Sequence, residues 1–201
     1  MITLYGASGH AKVIIDIIKS NDETINHIMD DNESIKELIG YPVLTPCETM
    51  CENVIIAIGN NKIRKQIAKR LKASYSNAVL HKSAIIGSNV IIHEGTVVMA
   101  RAVINANTKI GSHCIINTAS VIEHDVTISD FVHISPGAIV TGGVTIGESS
   151  QVGAGAVILP NIKIGKNVIV GAGAVVTKDI EDNAVVVGNP AKKLKVNTEN
   201  E

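Results

Sequence analysis

The chain has 201 residues, 45% of them hydrophobic, enough to bury a core in one domain or in two small ones. Eighteen basic residues stand against nineteen acidic ones and aromatic side chains make up only 2%, which argues against nucleic acid and anionic membrane as partners. Three cysteines, Cys47, Cys51 and Cys114, form an odd count without a second C-x-x-C-like pair, supporting neither a disulfide framework nor a structural zinc site.

In chain order, the opening MITLYGASGH carries neither a basic leader nor a long apolar run. No segment approaches the ~18 apolar residues of a membrane span, so a cytoplasmic protein is expected. ITLY predicts a short strand, GASGH a glycine-bearing turn, and AKVIIDIIKS a helix with apolar positions at helical spacing. INHIMDD predicts a second strand ending in two acids. Asp30 falls twenty-one residues after Gly9, near the spacing at which an acid meets the nucleoside in a βαβ unit. ENVIIAIGNNKIRKQIAKRLK repeats the strand-turn-helix pattern and puts Gly59, Asn60 and Asn61 at a strand's carboxyl end, where open α/β sheets bind ligands. The short G-x-x-G is a weak motif, since the full G-x-G-x-x-G is absent. These segments predict a small Rossmann-like parallel sheet over residues 1 to 80, with NAVLHKSA (77 to 84) as the junction to a second domain.

From Ile86 onward, every sixth residue through Val176 is Ile or Val, sixteen positions in succession. Two residues before each stands Ala, Val, Thr, Cys, Ser or Ile, which suits a narrow interior where chain segments stack at strand spacing. Period six predicts a left-handed parallel β-helix of hexapeptide repeats over residues 81 to 195, with a tail to 201 and three hexads per triangular coil. At eighteen residues per coil, NTAS (117 to 120), SPGA (135 to 138), GAGA (153 to 156) and GAGA (171 to 174) stack into one column. A groove lined by such small residues suits a thin amide-bearing ligand such as a pantetheine arm. Tight corners alone are the other explanation.

His124 stacks on Gly142 by the same count, whereas His133, nine residues on, falls on a different face. The two histidines cannot cooperate within one prism, so a homotrimer with sites between subunits is expected. Asp125 beside His124 is placed to orient the ring and favour its protonated form, as a general base requires. Cys114 occupies an inward position of the repeat and reads as structural.

YGASGHAKVI, MDD, AIGNNKIRK, LHKSA, NTASVIEHD and VVGNPAKK, spread over nearly the whole chain, together resemble the bacterial sugar acyltransferases of the sialic acid O-acetyltransferase and bacillosamine N-acetyltransferase family. Within it the sequence is most similar to the PglD-type enzymes, which acetylate the 4-amine of a UDP-linked amino sugar from acetyl-CoA. The resemblance implies that His124 is the base, that Asp125 increases its basicity, and that the Gly142 N–H holds the thioester oxyanion. It implies acetyl-CoA contacts from His133, Ala154 and Ala172. It assigns the nucleotide sugar to Ser8, Gly9, His10, Asp30, Asp31 and Gly59, with Asn117 near the sugar. No metal is implied.

The unbroken hexads leave no inserted loop to cover the acceptor, so the N-terminal domain is expected to present it. Alternatives with the same prism are a sialic acid O-acetyltransferase and a GDP-perosamine N-acetyltransferase. More distant ones are a zinc enzyme of the γ-carbonic anhydrase type, for which His93, His113, His124 and His133 lack an H-x-x-x-x-H pair, and a non-catalytic nucleotide-sugar sensor.

Overall fold

The structure, a computed structural model, describes residues 1–46 and 50–197; Cys47 lies outside the described residues. The predicted N-terminal elements form: β1 (Ile2–Tyr5), α1 (Gly9–Ser20), β2 (Ile25–Met29), then β3 (Glu37–Leu38), β4 (Tyr41–Leu44), β5 (Cys51–Ile56), α2 (Asn61–Arg70) and β6 (Ala73–Tyr75). The sheet order is β3-β4-β2-β1-β5-β6, parallel except for the short β3–β4 hairpin. Sequence periodicity did not reveal β3, β4 or β6, whose two to four residues are too few to show a pattern.

The near-continuous apolar run of α1 has a structural reason. Ile14, Ile15, Ile17 and Ile18 are all buried, because the helix lies between the sheet on one side and the prism on the other. At roughly 2 kcal/mol per buried side chain, this helix is a main joint of the molecule. The Asn21 amide, at its carboxyl end, donates to the Leu80 carbonyl at 2.8 Å.

The prism begins at β7 (Val79–Leu80), within the expected junction and one hexad before the first predicted inward position. Two-residue strands then recur at every sixth residue to Val175–Val176. They form three parallel columns in eighteen-residue register, such as Ile115, His133 and Gln151. The inward residues from Val98 to Val176 are buried, while Ile86, at the open end with no coil beneath it, stays 38% exposed. Buried hydroxyls near the corners find carbonyls fifteen residues on: Thr96 to Gly111 at 2.8 Å, Thr108 to Glu123 at 2.8 Å, Ser150 to Gly165 at 2.7 Å. At the far end Ala184–Val187 extends one column and pairs antiparallel with Lys192–Val196.

The three faces differ in character. One carries outward Val97 and Ile115 and is covered by α1 and the sheet. The second presents Ile85, Val103, Val121, Ile139, Val157 and Val175, an all-aliphatic column with Ile85 and Ile139 exposed. The third presents Ile91, Lys109, Thr127, Thr145 and Lys163, mostly polar.

The corners turn on left-handed residues. One corner stacks Asn89, Asn107, Asp125, Gly143 and Asn161; another Arg101, Ala119, Gly137, Gly155 and Gly173; the third Gly95, His113, Phe131, Ser149 and Asn167, all at positive φ. Asparagine, aspartate and glycine tolerate that region best, which accounts for their recurrence.

Candidate active site

His124 sits on the corner between the aliphatic and polar faces, opposite the face that the N-terminal domain covers. Its Nδ1 lies 2.7 Å from Oδ2 of Asp125, and its side chain is 63% exposed. The pair is not left loose. Asp125 stands at a left-handed corner (φ 59°), and its other carboxylate oxygen accepts from the Asn107 amide at 3.3 Å, which in turn takes a bond from Asn89. Hydrogen bonds from His124 and Asn107 hold the Asp125 carboxyl below its usual range, so it is an anion at neutral pH. An anionic acceptor on Nδ1 fixes a proton there and leaves the Nε2 lone pair for chemistry.

The glycine-and-alanine column is set largely by corner geometry. Gly137, Gly155 and Gly173 have positive φ, while a Cβ on Gly153 or Gly171 would come within 2.8 Å of the next coil. These glycines therefore carry no independent sign of a ligand. Ala154 and Ala172 are exposed beside them, on the corner between the domain-covered and aliphatic faces.

The predicted nucleotide residues gather at the carboxyl ends of β1, β2 and β5. Ser8 is the N-cap of α1. Gly9 and Gly59 have ordinary φ, and a side chain on either would meet no atom of the chain within 4 Å, so the space they keep open lies outside the protein. Asp30 is occupied by the fold: its carboxylate accepts from Ala7 N–H at 2.6 Å and from Asn32 N–H at 2.8 Å, tying β2 to the turn before α1. Asp31 bonds Tyr5 Oη at 2.5 Å and pairs with Arg70, a network sequence reading did not anticipate.

His10, Asn117 and His133 meet where the N-terminal domain rests on the prism. Thr118 N–H donates to Oδ1 of Asn117 at 2.8 Å, so the amide nitrogen is the end that faces Nε2 of His133 at 3.0 Å. Nε2 is therefore the acceptor, and the neutral ring carries its proton on Nδ1, the nitrogen left to meet the Gly59 main chain. Burial, reinforced by nearby Arg64 and His10, lowers His133 to about 3. Burial, with Arg64, likewise lowers His10 to about 4.

Arg64 was not singled out from the sequence, yet it is 1% exposed at the centre of this junction. Nε donates to the His113 carbonyl at 2.8 Å. Nη1 donates to the carbonyls of Ile58 at 2.9 Å and Gly59 at 3.2 Å. Nη2 donates to Phe131 O at 3.0 Å and Asn61 Oδ1 at 2.7 Å. Around it His113 stacks on Phe131 with centroids 5.1 Å apart and meets the Tyr75 ring edge-on at 4.4 Å. Cys114 is fully buried and pushed up to about 12 by that burial, an inert thiol at neutral pH. Among the described residues no group of three His, Cys, Asp or Glu side chains is placed to hold a metal, and no helix is long and apolar enough to cross a membrane.

Comparison with known proteins decides the family. Residues 1–71 match the PglD N-terminal domain and residues 143–178 the bacterial transferase hexapeptide model. The perosamine N-acetyltransferase of Caulobacter crescentus, solved with CoA and GDP-perosamine, superposes with a TM-score of 0.91 at 32% identity over 96% of each chain. The chain belongs to the PglD-type family of hexapeptide-repeat sugar acyltransferases. A second member of that family, the acetyltransferase domain of PglB from Neisseria gonorrhoeae in complex with acetyl coenzyme A, superposes with a TM-score of 0.87 at 35% identity, over 96% of this chain and 98% of that one. The curated UDP-N-acetylbacillosamine N-acetyltransferase of Bacillus subtilis is 40% identical over 110 residues, which cover 49% of this chain and about half, 51%, of that protein.

Proposed function

We propose that the protein transfers the acetyl group of acetyl-CoA to the 4-amino group of a UDP-linked amino sugar, with His124 as general base. The observation that carries this reading is the His124–Asp125 pair, an oriented imidazole with an accessible Nε2 on an otherwise aliphatic and polar prism. The neutral amine attacks the thioester carbonyl carbon while Nε2 of His124 takes the amine proton. The carbonyl oxygen becomes an oxyanion held by the Gly142 N–H. Collapse restores the carbonyl, expels the CoA thiolate, and the proton returns from the imidazolium to sulfur. No covalent enzyme intermediate is required.

The aliphatic face supports a homotrimer. A column of six Ile and Val residues with exposed Ile85 and Ile139 is the face a second copy covers. Packing there brings the His124 corner of one subunit toward the domain-covered face of its neighbour, where His133, Asn117, His10 and Gly59 lie. In this arrangement Ser8, Gly9, His10, Asp30, Asp31 and Gly59 hold or shape the nucleotide end of the acceptor, Asn117 approaches its sugar, and His133, Ala154 and Ala172 line the acetyl-CoA path.

A GDP carrier is the second reading, favoured by the Caulobacter crescentus relative that matches 96% of this chain and was solved with GDP-perosamine. Acetyl-CoA with a panel of UDP- and GDP-linked 4-amino sugars, followed by release of the CoA thiol, separates the two. Turnover of GDP-perosamine with no turnover of any UDP sugar replaces the first reading by the second. Thiol release with neither set removes both.

A further inference from the structure

Arg64 presents a physical puzzle. Among the described residues no carboxylate lies within ion-pair distance of it, and four of its five hydrogen-bond partners are main-chain carbonyls. A buried cation compensated only by dipoles is a poor source of stability, and an apolar side chain of similar volume commonly serves as well. Nor is Arg64 needed as adhesive, because α1 already buries its isoleucines against the prism face that carries Val97, Met99 and Ile115. What a planar five-donor fork supplies beyond adhesion is fixed geometry.

The carbonyls it gathers have a pattern. Ile58 and Gly59 belong to the loop between β5 and α2; His113 and Phe131 are corner residues of successive coils, eighteen positions apart. Gly59 is the residue whose main chain meets the His133 ring, and Phe131 lies two residues before His133. One guanidinium therefore holds both sides of the contact between the acceptor loop and His133. We propose that Arg64 is a positioning residue for acetyl transfer: by fastening the Gly59 loop to the prism it sets the orientation in which His133, its tautomer fixed by Asn117, presents Nδ1–H to that loop. The proposal rests on the acetyltransferase reading for its kinetic consequence and on geometry alone for its structural one.

The second half is tested on the wild-type protein by long-range 15N–1H correlation of the imidazole rings, which distinguishes Nδ1–H from Nε2–H without any substrate. His133 is expected as the neutral Nδ1–H form. A dominant Nε2–H form overturns the proposal even if no Arg64 variant folds. With the reaction assay in hand, Arg64→Lys keeps the charge but loses the fork. It should lower kcat/KM for acetyl-CoA ~10- to 100-fold, the scale on which small misplacements act, and shift the imidazole 15N resonances of His133. In a His133→Ala background the same substitution should alter kcat/KM less than twofold, because its effect passes through the missing ring. Multiplicative losses with unchanged His133 15N shifts make Arg64 structural and refute the idea. Absence of acetyl transfer to any nucleotide amino sugar refutes the proposed function instead and leaves the tautomer result standing.

Discussion

The imidazole of His124 lies directly over Gly142: a Cβ added to residue 142 would stand 2.7 Å from Cε1 and 2.8 Å from Nε2 of the ring. Gly142 is not at positive φ, so its backbone does not require glycine; the ring does. Gly142→Ala should therefore displace the proposed base while leaving the coil intact, lowering kcat ~10- to 100-fold with little change in Tm. His124→Ala should lower kcat ~10²- to 10⁴-fold with acetyl-CoA binding preserved, and Asp125→Asn less, since the base remains. Near wild-type kcat for His124→Ala around neutral pH would remove it as the base.

The two acids that end β2 should separate in experiment. Asp30→Ala strips acceptors from the Ala7 and Asn32 N–H groups and should lower stability by about 1–3 kcal/mol, read as a drop in Tm. Asp31→Ala frees Tyr5 and Arg70 at a more exposed site and should leave Tm nearly unchanged, raising KM for the nucleotide sugar but not for acetyl-CoA. Equal Tm losses for both variants would contradict this division.

Ile139 is 37% exposed in the middle of the aliphatic column. In the proposed homotrimer Ile139 lies in the interface, so Ile139→Lys should give monomers in light scattering and abolish activity, because the proposed base and His133 then no longer meet. Trimers mixed from His124→Ala and His133→Ala chains should regain a share of active sites. A fully active monomer, or mixing without any recovery, counts against sites shared between subunits.

Acidity should loosen the domain junction. Burial, with Arg64 close by, lowers His10 and His113 to about 4 and His133 to about 3, so all three are neutral in the folded state at neutral pH. Unfolded, each binds a proton near pH 6.5, so below that pH the unfolded chain takes up more protons than the folded one. Stability is thus complete above about pH 6.5 and declines as the pH falls toward 4, by roughly 2 kcal/mol per imidazole at pH 5. His113→Phe, which keeps the aromatic stack with Phe131, should flatten the fall in Tm between pH 7 and pH 5. An unaltered slope would show that His113 contributes nothing to it.

Much of this molecule is written in local pattern. Period six with Ile or Val at each inward site dictates a prism, because only side chains of that size and branching fill its interior. Strand-turn-helix spacing likewise dictates where Gly9, Asp30 and Gly59 come together. The His124–Asp125 pair and its seat on Gly142 arise from neighbouring positions and from the eighteen-residue coil. What local pattern leaves open is which face the N-terminal domain covers. Docking of α1 against Val97 and Ile115 makes that choice, places His133 beside Gly59 and leaves the Ile139 face bare. Arg64 shows the limit most clearly. Within NKIRKQIAKR it is one cation among five, and hydropathy would bury its neighbour Ile63; yet Ile63 is 47% exposed and Arg64 1%. The reason is that the carbonyls able to compensate a buried guanidinium come from residues 58, 59, 113 and 131, and only the tertiary fold brings them to one point.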